Sequence, residues 1–148
     1  MIKIPYICGP LTELKPEIQA DVKSFYTKLG TLCESLFGER AFVPHEHYDP
    51  IKNANFTPQE VDRAERAQVC ENTSVLIACA IEPSWGSGIE VEMAFRSNVP
   101  VIILKPPKNI SRLLRGNPAV FKIIEFETFM DALEKVAHAD LSGLKLKE

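Results

Sequence analysis

The chain has 148 residues, 45% of them hydrophobic, with a formal net charge of −3 and a pI near 5.7. A chain of this length and composition suits one globular domain with a sizeable core, so we expect a single domain over residues 1–148. No run of Lys or Arg exceeds two residues, and the balance is mildly acidic. These features exclude a long phosphate backbone as the expected partner, so we expect no nucleic-acid polymer.

The cysteines and the apolar runs bear on the compartment. The four cysteines are irregularly spaced and form no Cys-x-x-Cys pair, which favours buried free thiols in a reducing cytoplasm. The first ten residues lack the apolar length of a signal peptide, and the longest apolar run, Val75 to Ile81, is too short to cross a membrane. We therefore expect a soluble, cytoplasmic protein without a membrane anchor.

Apolar runs alternate with amphipathic ones along the chain. A first strand, Ile2 to Cys8, ends at Gly9-Pro10, and apolar residues at intervals of three to four predict a helix from Pro16 to about Phe37. The later predicted elements are, in chain order, a short strand at 41–43, a helix from the capping residue Thr57 to about Asn72, a strand at 74–80, a helix at about 88–97, a strand at 99–104, a short helix at 109–115, a strand at 120–126 and a last helix at 128–138.

Five strands alternating with helices predict an α/β fold. Right-handed crossovers then give a five-stranded parallel sheet with helices on both faces, a three-layer sandwich. Ligands of such sheets bind beyond the carboxyl ends of the strands. The loops expected to form a site are therefore those at 9–14, 44–55, 81–87 and 105–109.

The loop Ser84-Trp85-Gly86-Ser87-Gly88 has the features of an anion site. Its two glycines permit close approach of a ligand, and free N–H groups at a helix N-terminus suit a phosphate. The stretch is neither the Gly-x-Gly-x-x-Gly of dinucleotide folds nor a P-loop, so a tight strand-to-helix turn is the alternative, and we expect no cofactor. Trp85 could stack on a base or simply anchor the loop.

Glu90 follows this loop closely. A carboxylate in the first helical turn is favoured by the helix dipole, and we expect it to be ionised at neutral pH. It could be no more than a helix-start residue. An anion beside a bound phosphate is unfavourable, however, so its expected role lies at the sugar end of a nucleotide, where it would stabilise or attack an oxocarbenium-like C1′.

The stretch Pro44-His45-Glu46-His47-Tyr48-Asp49-Pro50 carries two histidines. A His-x-His pair can ligate a metal, recognise a base or donate a proton to a leaving base. No third imidazole lies nearby in the sequence, so we expect no metal; a hydrogen-bonded loop without chemistry is the remaining alternative. His45 and His47 are therefore candidate substrate-binding residues.

Three segments together resemble the nucleoside 2-deoxyribosyltransferase family. They are Tyr6-Ile-Cys-Gly-Pro, Thr73-Ser-Val-Leu-Ile-Ala and Ser84-Trp-Gly-Ser-Gly-Ile-Glu-Val-Glu-Met-Ala94. The closest branch is that of the 2′-deoxynucleoside 5′-phosphate N-hydrolases, and the similarity extends over about Lys3 to Gly116. The resemblance implies a flavodoxin-like (Rossmann-like) sheet of strand order 2-1-3-4-5, a homodimer or larger oligomer, and cleavage of an N-glycosidic bond by a glutamate nucleophile.

The resemblance also assigns roles to individual residues. Glu90 matches the nucleophile, and Tyr6 and Gly9 match first-loop positions that line the nucleotide site.

A second group of matches concerns the phosphate. Ser84 and Gly86 match phosphate-side positions of the hydrolases, and we expect Ser84 and the amides of Gly86 to Gly88 to hold this group. Ser111 is similar to the serine that reaches the phosphate of a neighbouring subunit.

The chain departs from the family pattern at two places. Arg66 stands where the family commonly has an Asp that holds the sugar or passes a proton; Asp62 and Glu65 are candidate catalytic replacements, although both could merely form helix ion pairs with Arg66. Thr12 and Glu13 stand where the hydrolases carry a basic residue in the first loop.

The leading hypothesis is an enzyme that cleaves the N-glycosidic bond of a small-molecule nucleotide or nucleoside, most plausibly a (deoxy)nucleoside 5′-monophosphate. The alternatives are a deoxyribosyltransferase and a non-catalytic nucleotide-sensing module on the same fold. A phosphoribohydrolase of the lysine-decarboxylase-like group is disfavoured, because the chain lacks a Pro-Gly-Gly-x-Gly-Thr run.

Overall fold

The computed structural model describes residues 2–148. Within these residues the elements are β1 (Ile4–Cys8), α1 (Pro16–Phe37), α2 (His45–Tyr48), α3 (Pro58–Asn72), β2 (Thr73–Cys79), α4 (Trp85–Arg96), β3 (Val101–Lys105), α5 (Arg112–Arg115), β4 (Val120–Glu125) and α6 (Phe129–Ala137). The predicted α/β class is confirmed.

The sheet has four strands in the order β1-β2-β3-β4, and every neighbouring pair is parallel. The prediction of a five-stranded sheet is therefore wrong. Phe42, in the segment predicted to be the second strand, forms one parallel bridge to Tyr6 at the outer edge of β1. This position is the one that a second strand has in the order 2-1-3-4-5. Pro44 lacks an N–H for further pairing and precedes α2 directly, so the segment turns away from the sheet.

The core consists of two hydrophobic layers, one on each face of the sheet. Every residue of β2 is buried, as the continuous apolar run predicted. Side chains on one face pack against α1 and α6, and those on the other face pack against α3 and α4. This arrangement is the predicted three-layer sandwich. The four cysteines are free thiols, and Cys8, Cys33 and Cys79 are buried.

The start of α4 differs from the prediction and changes the surroundings of Glu90. The Ser84 hydroxyl oxygen accepts a hydrogen bond from the Ser87 N–H (3.3 Å), so the helix begins at Trp85 and not near Gly88. Both glycines of the loop are thus helical. Glu90 lies in the second turn, where the first-turn dipole argument no longer applies.

No helix in the part of the chain that the structure describes combines the length and the apolar character needed to cross a membrane.

Candidate active site

Two cavities flank the first two turns of α4. One, of about 450 Å³, opens between α3 and α4, and we call it the Glu90 cavity. It is lined by Tyr48, Pro50, Asn53, Ala54, Phe56, Pro58, Val61, Asp62, Glu65, Gly86, Ile89, Glu90 and Met93. The other, of about 780 Å³, lies on the α5 side of the same helix, and we call it the serine cavity because Ser84, Ser87 and Ser111 line it.

Glu90 has a buried carboxyl atom without a partner. Its Oε2 is out of contact with solvent and accepts no hydrogen bond from residues 2–148. Burial raises the pKa of Glu90 to about 8, the charge of Glu65 adds to the shift, and the nearby Tyr6 hydroxyl opposes it. The expectation that Glu90 is ionised at neutral pH is therefore wrong for the free protein: its carboxyl group is mostly protonated at pH 7.

Glu65 and Asp62, the two candidate catalytic replacements on α3, have different surroundings. Glu65 is partly buried beside the Glu90 cavity, and burial, with a contribution from the charge of Asp62, raises its pKa to about 7. Asp62 is exposed at the rim, where both its oxygens accept hydrogen bonds from the Arg66 guanidinium at 2.9 and 3.1 Å. This ion pair lowers the pKa of Asp62. Glu65 is thus the carboxyl group that acts electrostatically on Glu90, while Asp62 is engaged with Arg66.

Tyr6 lies beneath the same site. Its side chain is fully buried, its hydroxyl has no hydrogen-bond partner among the described residues, and burial followed by the charge of Glu90 raises its pKa well above the ordinary value. The Tyr6 ring stacks on Phe42, with centroids 5.5 Å apart. Three of the four buried unpartnered side-chain atoms within residues 2–148 belong to Tyr6 in the middle of β1 and to Ser87 and Glu90 in the first two turns of α4; the fourth is His45 Nδ1. Buried polar atoms without partners are rare and are typical of functional sites.

Gly9 is required by packing. A Cβ at this position would overlap the hydroxyl and ring of Tyr26, and that hydroxyl donates a hydrogen bond to the Pro10 carbonyl oxygen at 2.8 Å. Gly9 lines neither of the two cavities. The close approach that this glycine permits is that of the Tyr26 side chain.

Gly86 and Gly88 have no such structural requirement. A Cβ on Gly86 would find only the Ser84 hydroxyl oxygen nearby, at 3.9 Å, and one on Gly88 would meet nothing within 4 Å. Neither residue has a positive φ angle. Gly86 lines the Glu90 cavity and Gly88 the serine cavity, so each glycine leaves open space beside a cavity.

The N–H groups at the start of α4 are only partly free. The Gly88 N–H donates to the Ser84 carbonyl oxygen at 3.1 Å, and the Ser87 N–H donates to the Ser84 hydroxyl. The expectation that the Gly88 amide holds a phosphate is therefore wrong. The N–H groups of Trp85 and Gly86 donate to no residue that the structure describes, and these two point to an anion site at the helix N-terminus.

Ser84 and Ser111 line the same cavity. Each serves as a helix N-cap: Ser84 accepts from the Ser87 N–H, and Ser111 accepts from the Leu113 N–H at 3.2 Å. As an acceptor, each hydroxyl keeps its hydrogen for donation to a ligand. Both serines lie on the opposite side of α4 from Glu90, however. The cavity of the two serines and the cavity of the predicted nucleophile therefore come close to each other only at the amino end of α4.

His45 and His47 line neither cavity. The His45 Nε2 is 3.4 Å from the Thr27 hydroxyl, and burial lowers the pKa of this histidine. His47 stacks on Phe42, with ring centroids 4.4 Å apart. The structure does not bring the two imidazoles together with Glu90, and residues 2–148 contain no group of three or more His, Cys, Asp and Glu side chains suited to a metal ion.

The loop after Phe42 contributes other residues to the Glu90 cavity. Tyr48, Asn53 and Phe56 line it, and the Tyr48 and Phe56 rings meet edge to face with centroids 5.5 Å apart. The sequence indicated this loop by its place after a strand. It gave no signal for these three residues, because the direction of each side chain depends on the short helix α2 and on how the loop is anchored.

The chain is similar in structure to the CMP N-glycosidase BcmB of Clostridium botulinum, with a TM-score of 0.65 and 18% sequence identity over 90% of this chain and 98% of that one. A second similar structure is a 3-dehydroquinate dehydratase-like protein from Bifidobacterium longum, 19% identical, with a TM-score of 0.45 over 93% of this chain and 97% of that one. No family model and no curated protein matches the sequence. At 18% identity the likeness to the N-glycosidase shows a shared α/β fold.

Proposed function

We propose that this protein hydrolyses the N-glycosidic bond of a (deoxy)nucleoside 5′-monophosphate, with Glu90 as the nucleophile. The observation that carries the proposal is the buried Oε2 atom of Glu90, which has no partner and belongs to a carboxyl group that lines the same cavity as Glu65. The resemblance of the Ser84–Ala94 segment to the nucleoside 2-deoxyribosyltransferases and the fold shared with an N-glycosidase favour the same reaction class. The protein would then be one such domain over residues 1–148, of flavodoxin-like type and acting on a small molecule.

Glu90 and Glu65 supply the ionised nucleophile and the protonated acid that the reaction needs. With pKa values of about 8 and about 7, Glu90 and Glu65 together hold roughly one proton near neutral pH, and such a pair titrates as a unit. Bound substrate presents an electron-poor C1′, which favours the ionised form of Glu90. The proton then belongs to Glu65, which becomes the acid for the leaving base.

A Glu90 oxygen bonds to C1′ while the C1′–N bond breaks, its electron pair leaves with the base, and Glu65 protonates that base. Water then attacks C1′, Glu65 takes the proton, and the sugar phosphate leaves as the Glu90 carboxylate is restored. The Tyr6 hydroxyl is placed to donate to the ionised Glu90 carboxylate. A second base in place of water would make the same site a deoxyribosyltransferase.

The 5′-phosphate is assigned to the amino end of α4, which both cavities reach. The free N–H groups of Trp85 and Gly86 and the hydroxyl of Ser84 are the donors from one chain, and the partner subunit's Ser111 is the further donor. Lys108, on the edge of the serine cavity, is paired with Glu82 at 3.1 Å. Arg112 also lines the serine cavity and forms no ion pair within residues 2–148, so it is the cation available to a phosphate beside these neutral donors.

A homodimer is part of the proposal. Trp85 and Leu113 beside the serine cavity are 90% and 88% exposed, and large exposed apolar side chains mark interaction surfaces. A second copy covering this surface would let Ser111 complete a neighbouring site. Light scattering at micromolar concentration checks this: we expect at least a dimer, and a monomer that is fully active would exclude the shared site.

The proposed reaction is tested by incubating the purified protein with nucleosides and 5′-monophosphates and following free base by chromatography. We expect base release by the wild type and none by Glu90→Gln, whose amide cannot act as an anionic nucleophile. Turnover unchanged in that variant would refute the assignment of Glu90.

A nucleotide-sensing module without catalysis is the second candidate. It is favoured by one observation, the Asp62–Arg66 ion pair at the rim, where the family commonly offers a free Asp. Nucleotide binding in calorimetry without base release from any substrate would support this function.

A further inference from the structure

One wall of the Glu90 cavity is the loop after α2, which is held in place by one buried carboxylate. Asp49 is only 1% exposed, and its Oδ2 accepts a hydrogen bond from the Lys23 Nζ on α1 at 2.6 Å. Its Oδ1 accepts from the N–H groups of Ile51 and Lys52 at 2.8 and 3.2 Å. The loop is thereby tied to the long helix by a charge-assisted contact that solvent hardly reaches.

The same anchor fixes the orientation of Asn53. The Asn53 N–H donates to the Asp49 carbonyl oxygen at 2.8 Å, and the Asn53 Oδ1 accepts from the Asp49 N–H at 3.0 Å. Because a backbone N–H can only donate, the side-chain atom that faces it must be the amide oxygen. The Asn53 amide therefore cannot be flipped without losing this bond.

The amide NH₂ group of Asn53 is left over. It donates to no group within residues 2–148, and it is not among the buried atoms without partners, so it is open to solvent. Asn53 lines the Glu90 cavity together with the aromatic rings of Tyr48 and Phe56. Flat apolar rings suit the faces of a nucleobase, and a fixed donor in the same cavity suits an acceptor atom on its edge.

We propose that Asn53 determines base specificity by donating a hydrogen bond to an acceptor atom of the nucleobase, a ring nitrogen or a carbonyl oxygen. Asp49 and Lys23 act as positioning residues for that donor. This inference rests on the proposed function, since it assigns the base to the Glu90 cavity. A donor that is held in one orientation discriminates against bases that lack the acceptor, because its partner is then missing.

The test combines a variant with substrate analogues. Asn53→Asp keeps the oxygen that accepts from the Asp49 N–H, replaces the NH₂ donor by a second oxygen and adds a negative charge, which the Asn55→Asp control also adds. The parent 5′-monophosphate that wild type cleaves best is compared with analogues in which one edge acceptor at a time is removed, by exchanging a ring nitrogen for CH or deleting a carbonyl oxygen.

We expect wild type to lose about tenfold in kcat/KM on one of these analogues. Asn53→Asp should lose about tenfold or more on the parent and should no longer distinguish the parent from that analogue. Equal losses on the parent and every analogue, or an unchanged parent rate, would overturn the inference. Asn55→Asp is the matched control, because Asn55 is exposed in the same loop and does not line the cavity.

The positioning role has its own readout. Asp49→Asn and Lys23→Met should each reduce the wild-type discrimination between parent and analogue, a ratio that does not depend on how much of the sample is folded. Full discrimination in both variants would remove Asp49 and Lys23 from the proposal. If wild type releases no base from any nucleotide, the proposed function fails and this inference with it. If wild type is active and Asn53→Asp behaves like wild type, only the inference fails.

Discussion

Replacing Glu90 by Gln is expected to stabilise the free protein while it abolishes activity. The pKa of Glu90 is raised from the ordinary 4.5 to about 8, chiefly by burial. Between these values the folded protein holds a proton that the unfolded chain has released. The contribution of this group to the free energy of unfolding is therefore fully present below pH 4.5 and is lost as the pH rises through 8.

The size of this effect follows from the pKa difference. At pH 7 an unfolded chain has already ionised this glutamate, and keeping it protonated in the fold costs about 3 kcal/mol at 1.36 kcal/mol per pKa unit. Gln is nearly isosteric, has a neutral polar group of similar desolvation cost and does not titrate. Glu90→Gln should therefore unfold about 6–12 °C higher than wild type at pH 7, and the two should converge towards pH 4.5.

The assay is thermal or urea unfolding of both proteins at pH 4.5, 6, 7 and 8, beside the measurement of base release. Glu92→Gln is the matched control on the same helix: Glu92 is exposed and paired with Arg96 at 3.1 Å, so its loss should cost under about 1 kcal/mol at any pH. Identical stability of wild type and Glu90→Gln from pH 4.5 to 8 would show that Glu90 is not buried without a partner. The raised pKa of Glu90 would then be refuted.

Three further predictions concern the same site. The value of kcat/KM should follow a bell-shaped pH profile with its optimum between about pH 7 and 8, because one carboxyl group must be ionised and the other protonated. Glu65→Gln should lower kcat by about 10² or more and remove one limb of this profile. A wild-type profile that is flat from pH 5 to 9 would contradict the paired carboxyl groups. The double substitution Ser84→Ala with Ser111→Ala should lower kcat/KM for a monophosphate by about two orders of magnitude, because each hydrogen bond to a charged group contributes roughly 1.5–3 kcal/mol. The slow cleavage of the unphosphorylated nucleoside should remain nearly unchanged. Equal losses of kcat/KM on both substrates would refute the phosphate pocket. Gly9→Ala should destabilise the fold strongly, because the added methyl group overlaps the buried Tyr26 side chain. Gly88→Ala should stabilise the helix by about 0.5–1 kcal/mol and weaken substrate binding. Thermal unfolding and substrate titration of both variants check this, and normal substrate affinity in Gly88→Ala would argue against a ligand at this glycine.

Much of the fold was predictable because its signals are local. The apolar periodicity from Pro16 to Phe37 and the capping box at Thr57 give helices with the expected bounds, since helix pattern and capping depend on residues within one or two turns. The continuous apolar run that became β2 predicted a central buried strand for the same reason.

The second strand and the roles of the glycines depended on distant contacts. Phe42 makes only one bridge to Tyr6, because Pro44 and α2 end the pairing, and a three-residue apolar segment does not reveal how far it pairs. Gly9 reads in the sequence like a ligand-binding loop residue. Only the fold shows that Tyr26, seventeen residues later, occupies the space its missing side chain leaves.

The sequence by itself determined the α/β class, the place of Glu90 beyond the end of a buried strand and the part of the loop at 44–55 that lines its cavity, but the predicted loops at 9–14 and 105–109 contribute no residue to that cavity. The tertiary structure alone decided the protonation of Glu90, because its pKa depends on burial and on Tyr6 and Glu65, which other elements supply. It also decided that Asn53 and not His45 faces the cavity. Burial and charge act through space, so the pKa of a carboxyl group and the direction of a loop side chain are set by neighbours far away in the chain, which no local pattern records.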